Sequence, residues 1–204
     1  MNLGLAERYF NLLYADIDGY RLSAAGKQHW GQTPPKELTY GEVNFASFPA
    51  LLAAADAPPG GTFYDLGSGT GKAVILAALL GNFRRLVGIE LIPELYQTAA
   101  AVREKFNQRL RPALPQSYPE PDINFRSGDI FTEDWSEADV IFVQATCFSE
   151  NLLTQLTERC QQLKPGSRII SVTATLDAPF LTCFHTDKFA LGWGLATVWY
   201  YVRN

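Results

Sequence analysis

Between Thr62 and Leu80 the chain runs Thr62-Phe63-Tyr64-Asp65-Leu66, then Gly67-Ser68-Gly69-Thr70-Gly71, then Lys72 and the apolar stretch Ala73 to Leu80. A short β-favouring run, a glycine turn and an apolar helical run in succession read as the first βα unit of an open α/β sheet. Sheets of that kind take their ligands at the carboxyl ends of the strands. Glycines at alternate positions let the main chain turn tightly and leave no side chain between backbone and a ligand lying across the helix start.

The residues around the glycines discriminate among ligands. A phosphate-cradling P-loop needs a glycine five positions before Gly71 and a hydroxyl after the lysine, but the chain has Leu66 and Ala73 there. A dinucleotide fingerprint needs its third glycine at the position of Lys72. Asp65, two positions before Gly67, repels a pyrophosphate but suits the ammonium and sulfonium of S-adenosylmethionine. The next strand, Arg85 to Glu90, ends in a carboxylate 19 residues past Gly71, a spacing at which an acid accepts both ribose hydroxyls. Nicotinamide enzymes place an acid similarly, so the spacing alone does not choose; Asp65 and the missing third glycine favour the methyl donor.

The 204 residues are 47% hydrophobic, enough for one domain with a sizeable core, and no segment approaches the roughly 20 apolar residues of a membrane span. Three cysteines, Cys147, Cys160 and Cys183, are odd in number and lack metal-ligand spacing, which points to a reducing cytoplasm and no structural zinc. A formal charge of −4 argues against a dominant phosphate-neutralising surface, so nucleic acid is a disfavoured partner. Oligomeric state is not legible.

Downstream the pattern keeps alternating. Leu95, Ala99, Val102, Phe106 and Leu110 recur at helical spacing after Pro93, until the proline-rich stretch from Pro112 to Pro121. Ile123 to Arg126 and Ala138 to Val143 read as strands, the second apolar on both faces and therefore central. A helix opened by Ser149 and carrying Leu152, Leu153, Leu156, Cys160 and Leu163 leads to a strand from Arg168 to Val172. Phe180 to Phe189 and Leu195 to Arg203, around Gly192-Trp193-Gly194, read as an antiparallel hairpin closing the sheet edge. The expected architecture is a Rossmann-like, doubly wound seven-stranded α/β sheet with a C-terminal antiparallel hairpin, the class I methyltransferase fold. Residues 1–40 are expected to form a helical cap and lid, with Leu5, Tyr9, Leu12 and Leu13 on one apolar face, and 41–204 the catalytic domain. Asp129, after the third strand, is placed to accept from an adenine amine, with Ile130 or Phe131 against the ring.

Tyr40-Gly41-Glu42, the Asp65 to Gly71 loop, Glu90, Gly128 to Phe131, Val140 to Gln144, Gly166 to Ser171 and Trp193 to Tyr201 occur in an order that resembles the catalytic core of the disruptor-of-telomeric-silencing family of histone lysine methyltransferases. The likeness runs from about residue 38 to 204. It implies cofactor contacts at Tyr40, Gly41, Glu42, Val43, Asp65, Gly67, Ser68, Gly69, Gly71, Glu90, Asp129 and Ile130, and a lysine channel at Gln144, Phe148, Ser171 and Tyr200. Gln144 stands where the family has asparagine, Val43 for threonine, Thr146 for phenylalanine and Val172 for a second channel serine. The family's basic nucleosome-contacting extension has no counterpart, so a nucleosome is not the expected substrate. The chain also looks similar to lysine methyltransferases acting on the c-subunit of ATP synthase.

Either likeness implies a protein lysine as acceptor, with no metal and no dedicated base. Phe148, Trp193, Tyr200 and Trp30 are the candidate aromatics of a dry channel; neither His29 nor His185 supports another mechanism. Three readings stay open beside it: methylation of a small metabolite or nucleic acid, a noncatalytic S-adenosylmethionine-binding module, and a nicotinamide dehydrogenase. The [DN]-P-P-[YFW] tetrad of nucleic acid amine methylases is replaced by Gln144-Ala145-Thr146-Cys147.

Overall fold

A computed structural model describes residues 2–31, 33–81, 83–115, 118 and 120–204, with the side chains of His29 and Trp30 outside the described set. Seven strands form one sheet: β1 Gly61–Leu66, β2 Phe83–Glu90, β3 Asp122–Ser127, β4 Val140–Gln144, β5 Arg168–Val172, β6 Leu181–Leu191 and β7 Gly194–Arg203. Their order is β3-β2-β1-β4-β5-β7-β6. The first five are parallel, with Asp65 opposite Gly88 and Phe142, and β4 in register with β5 from Val140 and Arg168 to Gln144 and Val172. β7 enters antiparallel beside β5, and β6 pairs with β7 alone. The doubly wound sheet and its terminal hairpin are therefore as the sequence predicts. All of β1 and the first four residues of β4 are buried, which is why their apolar runs do not alternate.

Helices cover both faces. α1 Leu3–Tyr14, α3 Phe48–Ala53, α4 Lys72–Leu80 and α5 Pro93–Lys105 contribute to one apolar layer, which includes Phe48, Phe142 and Tyr200. α6 Glu150–Arg159 serves the other, with Trp135, Leu156, Cys160 and Tyr201. α2 Gly19–Gly26 packs beside α5. Leu95, Ala99, Val102, Phe106 and Leu110 are all buried, as their spacing requires, although the helix loosens into a π turn at Phe106–Leu110.

The N-terminal helix corrects one expectation. Its inward face is Ala6, Phe10, Leu13 and Tyr14, while Leu12 is 62% exposed and Leu5 36%. Phe10 and Tyr14, one turn apart, pack with ring centroids 4.8 Å from each other, and the Tyr14 hydroxyl donates to the Thr70 carbonyl at 3.1 Å. An aromatic pair with a hydroxyl that must find a partner outcompetes the aliphatic stripe for the buried side. The expected face is thus one position out of phase, sharing only Leu13 and, at its margin, Tyr9.

Candidate functional site

The carboxyl ends of β1 to β4 meet at one end of the sheet, and the loop after β1 is shaped by its glycines. Gly67, Gly69 and Gly71 have φ of +85°, +55° and +83°, values that side chains with a Cβ rarely adopt. The amides of Gly67 and Ser68 both donate to the Ile89 carbonyl at 2.9 Å, tying the loop to β2. Above Gly67 there is open space: a Cβ there would meet nothing within 4 Å.

Two buried carboxylates flank the loop. Glu90 accepts from the Gly69 amide at 2.7 Å through Oε2 and from the Ile92 amide at 2.8 Å through Oε1. Burial raises its pKa, opposed by those two amides, the Leu91 amide and the ammonium of Lys27. Asp65 is 3% exposed and its carboxyl is pushed well above the usual range, first by burial and then by the charge of Glu90. A cation arriving beside Asp65 relieves both effects.

Between the loop and the opposite wall lies a cavity of about 300 Å³. Gly67 and Glu90 form its floor, Leu91, Ile92 and Leu95 one side, and Asp129, Ile130 and Phe131 the next. Gln144 and Phe148 close the far end, and the segment from Pro35 through Tyr40 and Gly41 crosses over it. Of the residues singled out from the sequence, Tyr40, Gly67, Glu90, Asp129, Ile130, Gln144 and Phe148 are therefore brought together around one space. Asp129 does not stand free, because its Oδ1 accepts from the Phe131 amide at 2.9 Å.

Asp65, Ser68, Gly69 and Gly71 lie outside the cavity lining. Tyr40 lies against Gly69, where an added Cβ would come within 2.6 Å of the ring. Its hydroxyl donates to Glu42 Oε1 at 2.8 Å and meets Thr70 Oγ1 at 3.1 Å, and burial with the nearby Glu42 carboxylate raises its pKa. The other Glu42 oxygen pairs with Lys72 Nζ at 2.5 Å. Glu42 thus points at a lysine and not into the cavity. Lys72 was legible in the sequence only as a mismatch to glycine fingerprints; its partner lies 30 positions away, and no local pattern links them.

At the far end Gln144 Nε2 donates to the Gly41 carbonyl and Trp193 Nε1 donates to Gln144 Oε1, both at 3.3 Å. The Phe148 ring lies 6.3 Å from that of Phe131. Ser171 and Tyr200 are elsewhere. Ser171 is fully buried and donates to the Ala174 carbonyl at 2.7 Å, fastening the turn after β5. Tyr200 faces the α3 layer, donating to the Leu51 carbonyl at 3.1 Å. His185 packs on the Tyr200 ring at 5.3 Å, away from the cavity. Next to Gln144, Thr146 and Thr173 share a 3.2 Å hydroxyl contact, with Thr173 held at φ +75°. Among the described residues no cluster of three His, Cys, Asp or Glu is arranged to hold a metal, and no helix is long and apolar enough to cross a membrane.

The arrangement has relatives. A Cryptococcus neoformans protein named histone-lysine N-methyltransferase, H3 lysine-79 specific, is 31% identical over 162 residues, covering 76% of this chain but 24% of the relative. A protein-lysine N-methyltransferase of Saccharolobus islandicus is 32% identical over 108 residues, 53% of this chain and 59% of its own. Among solved structures, an RNA methyltransferase from Salinibacter ruber in complex with S-adenosyl-L-homocysteine superposes with a TM-score of 0.57 at 28% identity, over 76% of this chain and 89% of that one. The chain spans about a quarter of the length of the Cryptococcus relative. The model of the family described as histone methylation protein DOT1 matches residues 32–189, and with that span and this site the chain belongs to the DOT1 family.

Proposed function

We propose that the chain is an S-adenosylmethionine-dependent methyltransferase whose acceptor is a lysine amine on a protein. The observation that carries the reading is the pair of buried carboxylates at the glycine loop: Asp65, its pKa raised by burial and by the charge of Glu90, and Glu90, which lines the cavity. The donor-side residues fit the cofactor. The open space at Gly67 leaves room for its backbone-hugging portion, Glu90 would accept from its ribose hydroxyls, Asp65, behind the cavity lining, would complement its positive charge, and the apolar side chains of Ile130 and Phe131 would suit its purine. S-adenosylmethionine, when bound, supplies a methyl group already activated by its sulfonium.

The chain's own residues must then hold an amine in line and keep it neutral. Positioning of two reactants supplies about 7 to 11 kcal/mol of a barrier. A lysine amine has a reference pKa of about 10.4, so an environment poor in water is needed to favour the uncharged nucleophile. Phe148 lines the cavity's far end beside Gln144 and supplies apolar surface there, with the Trp193 indole bonded to the outer side of Gln144. Gln144 Oε1, already accepting from Trp193, has a second lone pair for an amine N–H. Ser171 and Tyr200, hydrogen-bonded elsewhere, take no part at this end. A protein acceptor also fits the two lysine-methylating relatives, and the three free thiols fit a reducing, cytoplasmic setting.

The test is incubation with labelled S-adenosylmethionine and a cell lysate, followed by separation of protein from small molecules and nucleic acid. Label in lysines of protein is expected; label confined to metabolites or RNA overturns the acceptor, and binding without turnover reduces the chain to a cofactor-binding module. S-adenosylmethionine at a hundredfold excess over its Kd is expected to stabilise the fold by about 2.7 kcal/mol, whereas NAD is expected to leave it unchanged.

A further inference from the structure

The cavity wall that faces the expected purine is the loop joining β3 to β4, and it is gripped from outside. Trp135, fully buried, donates through Nε1 to the Ile130 carbonyl at 2.8 Å. Arg159, the last residue of α6, donates through one Nη to the Phe131 carbonyl at 2.7 Å and through the other to the Glu133 carbonyl at 2.6 Å. Its guanidinium lies over the Trp135 ring, 5.1 Å from the centroid. Neither side chain lines the cavity. The carbonyls of Ile130, Phe131 and Glu133 are thereby engaged by side chains outside the cavity, whose lining takes Ile130 and Phe131. The same helix serves the opposite wall with its other end, because Phe148 precedes it and Leu152 lies in its first turn.

We propose that Arg159 and Trp135 are positioning residues for the nucleoside wall: they set affinity for the purine without touching it, by fixing which way the loop carbonyls face. The planar fork of the guanidinium is what spans two carbonyls while stacking on an indole; a lysine ammonium, a point charge on a flexible stem, cannot do both. This rests on the proposed cofactor, and the experiment separates the two.

Kd values of the full chain for S-adenosylhomocysteine and for 5′-methylthioadenosine, which lacks the amino-acid end, are measured by calorimetry for the wild type, Arg159→Lys, Trp135→Phe and Leu52→Ala. Leu52→Ala truncates a buried residue of the opposite apolar layer and serves as the destabilised control. Both clamp variants are expected to weaken the two ligands by the same factor, roughly tenfold, so that the ratio of the two Kd values is unchanged; the control is expected to bind as wild type at a temperature where it is folded. Wild-type affinity in Arg159→Lys and Trp135→Phe, or an equal loss in Leu52→Ala, overturns the clamp. If Arg159→Lys does not fold, Trp135→Phe decides alone, since it retains an aromatic ring under the guanidinium and removes the hydrogen bond to Ile130. A wild-type chain that binds neither ligand removes the cofactor reading and the clamp with it.

Discussion

At the level of single residues, Asp65 and Glu90 are the two buried carboxyls at the glycine loop. Both carboxyls have raised pKa values in the fold. A raised group contributes stability that is fully present below its unfolded value and is lost as the pH rises through its folded value. The ligand-free chain is therefore expected to lose stability from the ordinary carboxylate range upward, and Asp65→Asn to flatten that slope and raise resting stability by about 1 kcal/mol or more. If the proposed cofactor brings its sulfonium near Asp65, the preference reverses. Affinity for S-adenosylmethionine relative to S-adenosylhomocysteine, whose sulfur is neutral, should grow with pH over the same window and cease to do so in Asp65→Asn; calorimetric titrations at several pH values check both. Tyr200→Phe is a different case. It strips the partner from the buried Leu51 carbonyl, so denaturant unfolding should report a loss of about 1–3 kcal/mol, with the rate of methyl transfer unchanged.

Among the elements, the strap from Thr39 to Val43 is held by contacts that come from every side. Tyr40 lies on Gly69, Glu42 on Lys72, the Gly41 carbonyl on Gln144, and the Glu42 carbonyl accepts from the Gly192 amide at 3.2 Å. Lys72→Met leaves the Glu42 carboxylate, half-hidden and charged, short of its cation, at a cost of about 1–3 kcal/mol. Limited proteolysis between Gly26 and Val43 should accelerate in that variant and return toward wild type when Glu42→Gln is added. Gly69→Ala should loosen the same strap by a different route, through its φ of +55° and the Tyr40 ring.

Elements of this kind also mark how far the sequence could be read. The strand boundaries, the loop at Gly67 to Gly71 and the buried stripe of α5 follow from periodicity and glycine placement, which are local properties. The cavity wall at Asp129 to Phe131 and the far end at Gln144 and Phe148 follow from the rule that ligands sit beyond strand ends. The pairing of Glu42 with Lys72, the inward turn of Tyr200 and the phase of α1 depend on which partner a side chain meets across 30, 149 and 56 positions of chain. Nothing in a single sequence encodes those distances.

For the molecule as a whole, the two faces of the sheet divide the work. The layer under α1, α3, α4 and α5 contains the packing that anchors α1, and the layer under α6 contains Trp135, with Phe131 and Phe148 packed against it. Truncations in the first, such as Leu51→Ala, should lower stability by about 2–5 kcal/mol while leaving ligand affinity intact in the folded fraction. The chain spans 24% of the Cryptococcus neoformans relative and 14% of a Caenorhabditis elegans protein of the same name, so the shared region is one part of each.

The insertion of β7 between β5 and β6 has a bearing on how the molecule is made. Synthesis delivers β5 first, then β6, whose only neighbour in the sheet is a strand not yet present. While the nascent chain grows, Arg168–Val172 is a bare parallel edge and Leu181–Leu191 an unpaired ribbon, both able to template against another chain. The threading of Gly194–Arg203 into that gap is the event that ends this exposure, and pulse-labelled intermediates stalled before Gly194 should be captured by chaperones while those in which Arg203 is free to pair are not.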